Sequence, residues 1–235
     1  MTSGQFVMFL AAAFWVLLHV GLAGSPLRWR LVGAIGENGF RGLFSLLSAV
    51  GLFFLIWAYG QARSPDHFYG LWVADRWTYF IPIVIMPFAF LLLVAALTPR
   101  NVTLAGADMV ARGEVEPRGI FRITRHPMLW AFALWAAAHI PPNGDLGSLQ
   151  LFLAVLIVSV AGMFSIDRKR ARQQPATWPA YAAATSVLPF GAILAGRNRL
   201  ALSELGWGRI ALAALAFLLV WMWHGALIGV SALPG

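Results

Sequence analysis

The sequence predicts an all-α fold, a polytopic membrane helix bundle of about six transmembrane helices with both termini periplasmic. Three observations predict it. Of 235 residues, 60% are hydrophobic and only 11% are charged, and mean hydropathy is +0.75. A soluble domain carries roughly a quarter charged residues. Apolar runs near the ~20 residues needed to cross hydrocarbon recur along the whole chain. The basic residues gather in alternate loops between those runs, where a polytopic protein carries its orientation signal.

The spans are taken in order. The first covers Gln5 to Leu22, the second Gly42 to Tyr59 and the third Tyr79 to Leu97. The fourth runs from Pro127 to Ile140, with an earlier start near Ile120 as its alternative, because Arg122 and Arg125 have stems long enough to snorkel. The fifth runs from Leu149 to Ile166 and the sixth from Ile210 to Val230. The first run lacks a basic leader and reads as a retained helix, not a cleaved signal peptide. Residues 1–235 therefore form a single integral membrane domain.

Arginine and lysine fix the orientation. The first loop holds Arg28, Arg30 and Arg41, and the second Arg63 and Arg76. The third holds Arg100, Arg112, Arg118, Arg122 and Arg125, and the fourth none. The fifth holds Arg168, Lys169, Arg170, Arg172, Arg197, Arg199 and Arg209. Loops one, three and five thus carry 15 of the 17 basic residues and are cytoplasmic. The formal charge of +8 is spread over these loops, which argues against a nucleic-acid partner and for the lipid bilayer. Asp108 to Gly119 is a polar connection. Trp178 to Gly196 is apolar but broken by Pro179 and Pro189, so it lies at the interface or re-enters.

Cysteine is absent, which excludes disulfides, thiolate nucleophiles, Fe–S clusters and Cys-ligated haem. No P-loop, dinucleotide-binding glycine run, zinc-protease or serine-hydrolase motif occurs. Histidine is the informative residue. His19, His139 and His224 lie deep in apolar runs, and His126 opens another. An imidazole in hydrocarbon needs a partner, so each is a candidate metal or haem ligand, proton carrier or interhelical hydrogen bond. The span directions put His19 and His126 toward the inner surface, and His139 and His224 in the outer half. His67, in an outer loop, is expected to be solvated.

Arg125-His126-Pro127 concentrates polarity at a helix start. Proline suits the first turn, and the free amides beside Arg122 and Arg125 favour an anion. A cofactor's acidic group or a lipid headgroup would meet that need equally. Glu37 and Arg41 are spaced for an i, i+4 pair. Asn143-Gly144-Asp145 signals a turn. Asp167-Arg168-Lys169-Arg170 reads as a topology anchor, with an ion pair from Asp167 to a neighbouring arginine as an option.

Several stretches together resemble the NnrU family. They are Gly119-Ile-Phe-Arg-Ile-Thr-Arg-His-Pro127, Trp135-Ala-Ala-Ala-His139, Asn143-Gly-Asp145, Gly36-Glu37 with Phe40-Arg41, and Thr185-Ser-Val-Leu-Pro-Phe190. The main resemblance covers residues 4–200 and continues weakly to His224. It implies a bacterial inner-membrane protein linked to nitric oxide and nitrite metabolism (denitrification). The family is in turn similar to the plant and cyanobacterial 15-cis-zeta-carotene isomerases, which are membrane haem b proteins. That similarity implies haem b as cofactor, with His19 and His139 as axial ligands and His126 and His224 as alternates. Arg125 or Arg122 would meet a haem propionate. If the chain is an enzyme, it would be a haem-dependent cis–trans isomerase acting on a lipophilic polyene. One departure matters: the isomerase has a Cys three residues before its second ligand, where this chain has Ala136, so a thiolate switch cannot operate. A more remote likeness is to membrane methyltransferases, which carry Arg-His-Pro at a helix start and use S-adenosylmethionine. The glutamates expected near the end of their following helix are missing here. A third expectation is a non-enzymatic accessory protein of a respiratory or denitrification complex.

Overall fold

The computed structural model describes residues 2–98 and 116–233. Arg100, Arg112 and most of the polar stretch Asp108 to Gly119 lie outside the described residues. Every regular element among the described residues is helical, and one isolated antiparallel bridge joins Gly70 to Asp145. Helix α1 spans Ser3–Val16 and runs on as a π-helix over Leu17–Leu22. Then come α2 (Leu27–Ala62), α3 (Phe80–Leu97) and the single turn α4 (Ile120–Ile123). Next are α5 (Pro127–His139), α6 (Leu146–Gln173) and α7 (Trp178–Ala184). The chain closes with α8 (Gly191–Leu194), α9 (Trp207–Met222) and α10 (His224–Ile228).

Four helical runs are long and apolar enough to cross a membrane: Ser3–Leu22, Leu27–Ala62, Arg76–Leu97 and Leu146–Gln173. They contain the first, second, third and fifth predicted spans. Their outer faces are apolar, as hydrocarbon requires: Leu46, Phe53 and Ile56 on α2 are 63%, 74% and 62% exposed. The other two predicted spans form shorter helices, α5 with 13 residues and α9 with 16. The cause is local. Residues Ile120–Ile123 curl into a separate turn, and Thr124 is extended (φ −151°, ψ 146°) ahead of Pro127, so α5 cannot start near Ile120. At Trp223 the backbone leaves the helical region (φ −99°, ψ 12°), and α10 follows as a separate turn.

The chain divides into two compact units, Met1–Thr78 with Ala136–Ser165, and Tyr79–Trp135 with Ile166–Gly235. The first is built on small residues that let helices approach: Ala11 and Ala12 of α1, Ala58 and Ala62 of α2 and Ala154 of α6, with Met8 and Leu55. Gly51 of α2 faces Phe14, whose ring would stand 2.9 Å from an added Cβ. Buried Gln5 donates from Nε2 to the Ala62 and His67 carbonyl oxygens, satisfying the end of α2. His67, expected to be solvated, is half-buried: its ring packs against Gly4 and its Nδ1 is buried without a partner among the described residues.

Asn143-Gly144-Asp145 is indeed a turn, and the structure shows why Gly and Asp stand there. A Cβ on Gly144 would lie 2.0 Å from the Trp72 carbonyl oxygen. Asp145 caps α6, accepting from the Ser148 amide at 2.8 Å and its hydroxyl at 2.6 Å. In α2, Gly36 holds φ 75°, ψ 166°, a conformation essentially confined to glycine, and kinks the helix just before Glu37.

The second unit packs α3 against α9, with Phe90 edge-on to Phe217 at 6.0 Å. Its apolar core gathers Leu92, Ala95, Ile120, Phe121, Ile123, Ala131 and Leu205.

Candidate functional site

His19 of the first unit stands in the π-helical stretch at the end of the first candidate span. π-Bulges cost hydrogen-bond geometry and are frequent at functional sites. The imidazole Nδ1–H donates to the Trp15 carbonyl oxygen at 2.9 Å. A carbonyl can only accept, so Nδ1 carries the proton and Nε2 keeps its lone pair. The ring is fixed by Trp15, 4.2 Å between centroids, and by the edge of Phe44 at 5.3 Å. This is a ligand-ready imidazole, oriented by a backbone carbonyl in the way metal-bound histidines usually are.

His139 closes α5 in the same unit, its ring 5.6 Å from Phe152 and its carbonyl accepting from Asn143 Nδ2 at 2.8 Å. Phe152 lies thirteen residues before Ser165 on α6, roughly 20 Å along the axis. Ser165 is the residue that packs on Gly24, just past His19. His19 and His139 therefore stand at different levels of the unit, as their span positions suggested.

Arg125 and His126 belong to the second unit, and one carboxylate holds both. Asp167 accepts from Arg125 Nε at 2.9 Å and Nη2 at 2.6 Å, and from His126 Nε2–H at 2.7 Å. The loop after α7 fastens this start of α5. The Arg125 amide donates to the Ser186 carbonyl, and Thr124 Oγ1 and Trp130 Nε1 both donate to the Val187 carbonyl at 2.7 Å. Phe190 takes a left-handed conformation, φ 63°, to close the loop. The anion favoured at this helix start is thus the protein's own Asp167.

Two polar atoms around this carboxylate are left over. His126 Nδ1 and Tyr181 Oη are buried without a hydrogen-bond partner among the described residues. Burial pushes the Tyr181 phenol well above its ordinary value, with Asp167 adding to the shift and Arg125 opposing it. Trp178 lies beside both, 5.7 Å from Tyr181 and 6.0 Å from the Arg125 guanidinium. Sequence reasoning read Asp167 as part of a topology anchor, with an ion pair to a neighbouring arginine as an option, and gave Tyr181 no role at this carboxylate. The available signal was that Asp167 is the one acid in a basic tract at the end of an apolar run.

Arg122, the other arginine considered for a propionate, is also engaged. It donates to Glu204 Oε2 at 2.8 Å and Oε1 at 2.9 Å, to Asn198 and to Glu116. Glu204 also accepts from the Gly119 amide at 2.7 Å. The Arg122 hydrogen bond holds the Glu204 carboxyl at about 2, against desolvation. A depressed folded value gives stability that is full above the ordinary 4.5 and fades as pH falls toward 2. Glu204→Gln should therefore flatten the fall in melting temperature between pH 5 and pH 3 in detergent. An unchanged acid slope would detach this pair from acid stability. His224 is tied locally, Nδ1 donating to the Val230 carbonyl at 2.7 Å. No group of three or more His, Asp or Glu able to hold a metal occurs among the described residues.

Similar proteins include the chloroplastic 15-cis-zeta-carotene isomerase of Arabidopsis thaliana, 26% identical over 209 residues, covering 83% of this chain and 52% of the relative. The Zea mays enzyme of the same name is 30% identical over 82 residues, 35% of this chain and 22% of the relative. The chain thus spans about half the length of the Arabidopsis relative and less of the maize one. No solved structure matches it. The family model described as NnrU protein matches residues 7–232, nearly the whole chain, and the chain therefore belongs to the NnrU family.

Proposed function

We propose that this chain is a multi-pass bacterial inner-membrane protein that holds haem b through His19 and acts as an isomerase of a lipophilic polyene. His139, the other histidine expected on the iron, stands at a different level of the unit and does not fit the same iron, so the proposal rests on His19 alone. The isomerase reading rests on the likeness to proteins named 15-cis-zeta-carotene isomerase, and the membrane reading on four helices of spanning length. The observation that carries the haem reading is the His19 imidazole, with Nδ1–H bound to Trp15 and Nε2 without a partner among the described residues, within a π-helical turn. When bound, haem would supply a redox-active iron able to bind nitric oxide, which would tie the same site to denitrification. The residues present fit this group at His19. Arg125 and Arg122 fit it less well, because Asp167 and Glu204 already hold their guanidinium groups.

The topology proposed with this function has six spans and both termini outside. The 13-residue α5 and 16-residue α9 would complete it, at roughly 20 and 24 Å of helix. His126 with Asp167 is proposed as a second polar centre, its buried Nδ1 without a partner among the described residues.

An optical spectrum of the detergent-purified protein, oxidised and dithionite-reduced, with a pyridine haemochrome assay, tests this directly. Near-stoichiometric haem b is the expected result. A protein that stays colourless after expression with excess haem would sink the haem reading. Incubating the reduced protein with a 15-cis polyene and separating the isomers by chromatography tests the reaction itself.

A further inference from the structure

The start of α2 carries a feature that none of the expected roles uses. Arg28 is 4% exposed, in the first turn of an apolar helix. Its guanidinium lies over two rings, 4.7 Å from the centre of Trp29 and 5.0 Å from that of Phe40. Nη2 donates to both oxygens of Glu37, at 2.6 and 2.7 Å. Nη1 is buried and has no acceptor among the described residues. A buried charged donor with no acceptor costs more than an ordinary missing hydrogen bond, so the position calls for one.

The charge of the missing acceptor follows from the partners. Glu37 is shared, since Arg41 Nε also donates to its Oε1 at 3.2 Å. Two guanidinium groups on one carboxylate leave a local surplus of positive charge, which favours an anion over a neutral acceptor. The surroundings say what else the ligand has. Phe40 stacks on Phe44, 6.0 Å apart with planes 13° off parallel, and Phe44 meets the His19 ring. A chain of ring contacts through Phe40 and Phe44 therefore links the Arg28 guanidinium, whose buried Nη1 has no acceptor among the described residues, to the His19 imidazole.

We infer that Arg28 is the carboxylate anchor of this site, its Nη1 receiving the acid group of the flat apolar ring ligand whose metal His19 holds. The inference rests on the haem reading proposed above and replaces Arg125 and Arg122 in the propionate role. Gly36, Glu37, Phe40 and Arg41 then have one purpose. Gly36 turns the helix, Glu37 steadies both arginines, and Phe40 walls the ligand.

The test uses two probes on the haem-depleted full-length protein in detergent: haemin, and haemin dimethyl ester, whose propionates are blocked. Binding is read from the Soret band. The wild type is expected to bind haemin about tenfold or more tightly than the ester, one charge-assisted hydrogen bond's worth. Arg28→Gln should lower haemin affinity to that of the ester and leave ester affinity unchanged, and Arg28→Lys should recover part of the difference. Equal haemin and ester affinities in the wild type would overturn the inference, and this comparison needs no substitution to fold. Unchanged haemin affinity in Arg28→Gln would also overturn it, placing a lipid phosphate at Arg28 instead, while haem binding itself stands. A wild type that binds neither probe overturns the haem reading and this inference with it.

Discussion

Asp167→Ala should cost about 3–5 kcal/mol and melt the polar centre of the second unit, the loss expected when one partner of a buried ion pair is removed. The side chains of Arg125, His126 and Asp167 are only 13%, 0% and 17% exposed. Asp167 is the acceptor for three N–H groups at once, Arg125 Nε and Nη2 and His126 Nε2. Alanine would strand a largely buried guanidinium charge and a fully buried imidazole N–H. Asp167→Asn keeps one carbonyl acceptor but loses the charge, and should fall between. Melting in detergent, followed by circular dichroism, reads the series. Pairing Asp167→Ala with Arg125→Gln should recover part of the loss, because the double variant no longer buries an unmatched charge. If Asp167 were only an exposed topology anchor, its removal would move stability by less than about 0.5 kcal/mol, and that result would dissolve the network argued here.

Much of the fold was written in the apolar runs. Four of six expected spans coincide with helices of spanning length, because a membrane helix must satisfy its own backbone and so advertises itself as a long apolar stretch. The two that came out short were less legible for a reason that can be named. Hydropathy is blind to backbone geometry. The turn at Gly119 (φ 56°) and the extended Thr124 sit inside a stretch whose composition alone permits a longer helix. The division into two units, with α5 and α6 contributing to both, leaves no trace in composition either.

The site was legible in residue type and illegible in pairing. Histidines in apolar runs stand out because hydrocarbon penalises them, so His19 and His126 could be picked out from the sequence. Their partners could not. Asp167 meets Arg125 across 42 positions of sequence, and Glu204 meets Arg122 across 82. Nothing in a single sequence records such distances. Arg28 was counted as an orientation charge because it sits in a basic loop. Only its burial and its idle Nη1 distinguish it from Arg30, its neighbour two positions on.

His19→Ala should reduce bound haem to below about a tenth of the wild-type content while leaving the protein folded, and free imidazole should restore the Soret band. Separating these two effects is what makes the substitution informative. The His19 side chain is only half buried and its one hydrogen bond runs to Trp15 within the same helix, so its loss removes ring contacts of about 1 kcal/mol and little more. Its unengaged Nε2, by contrast, is the whole of its proposed tie to iron, and no thiol in this Cys-free chain can take its place. The space left between Trp15 and Phe44 is the size of the ring removed, which is why added imidazole can enter as a ligand. His19→Gln sharpens the comparison: its amide can still donate to the Trp15 carbonyl but offers no imidazole nitrogen. Loss of haem in both variants with melting temperatures near wild type assigns His19 to the metal. Loss of haem together with unfolding would make His19 structural. Full haem content in His19→Ala would remove it from the ligand set and leave His139, His126 and His224 as the imidazoles to test.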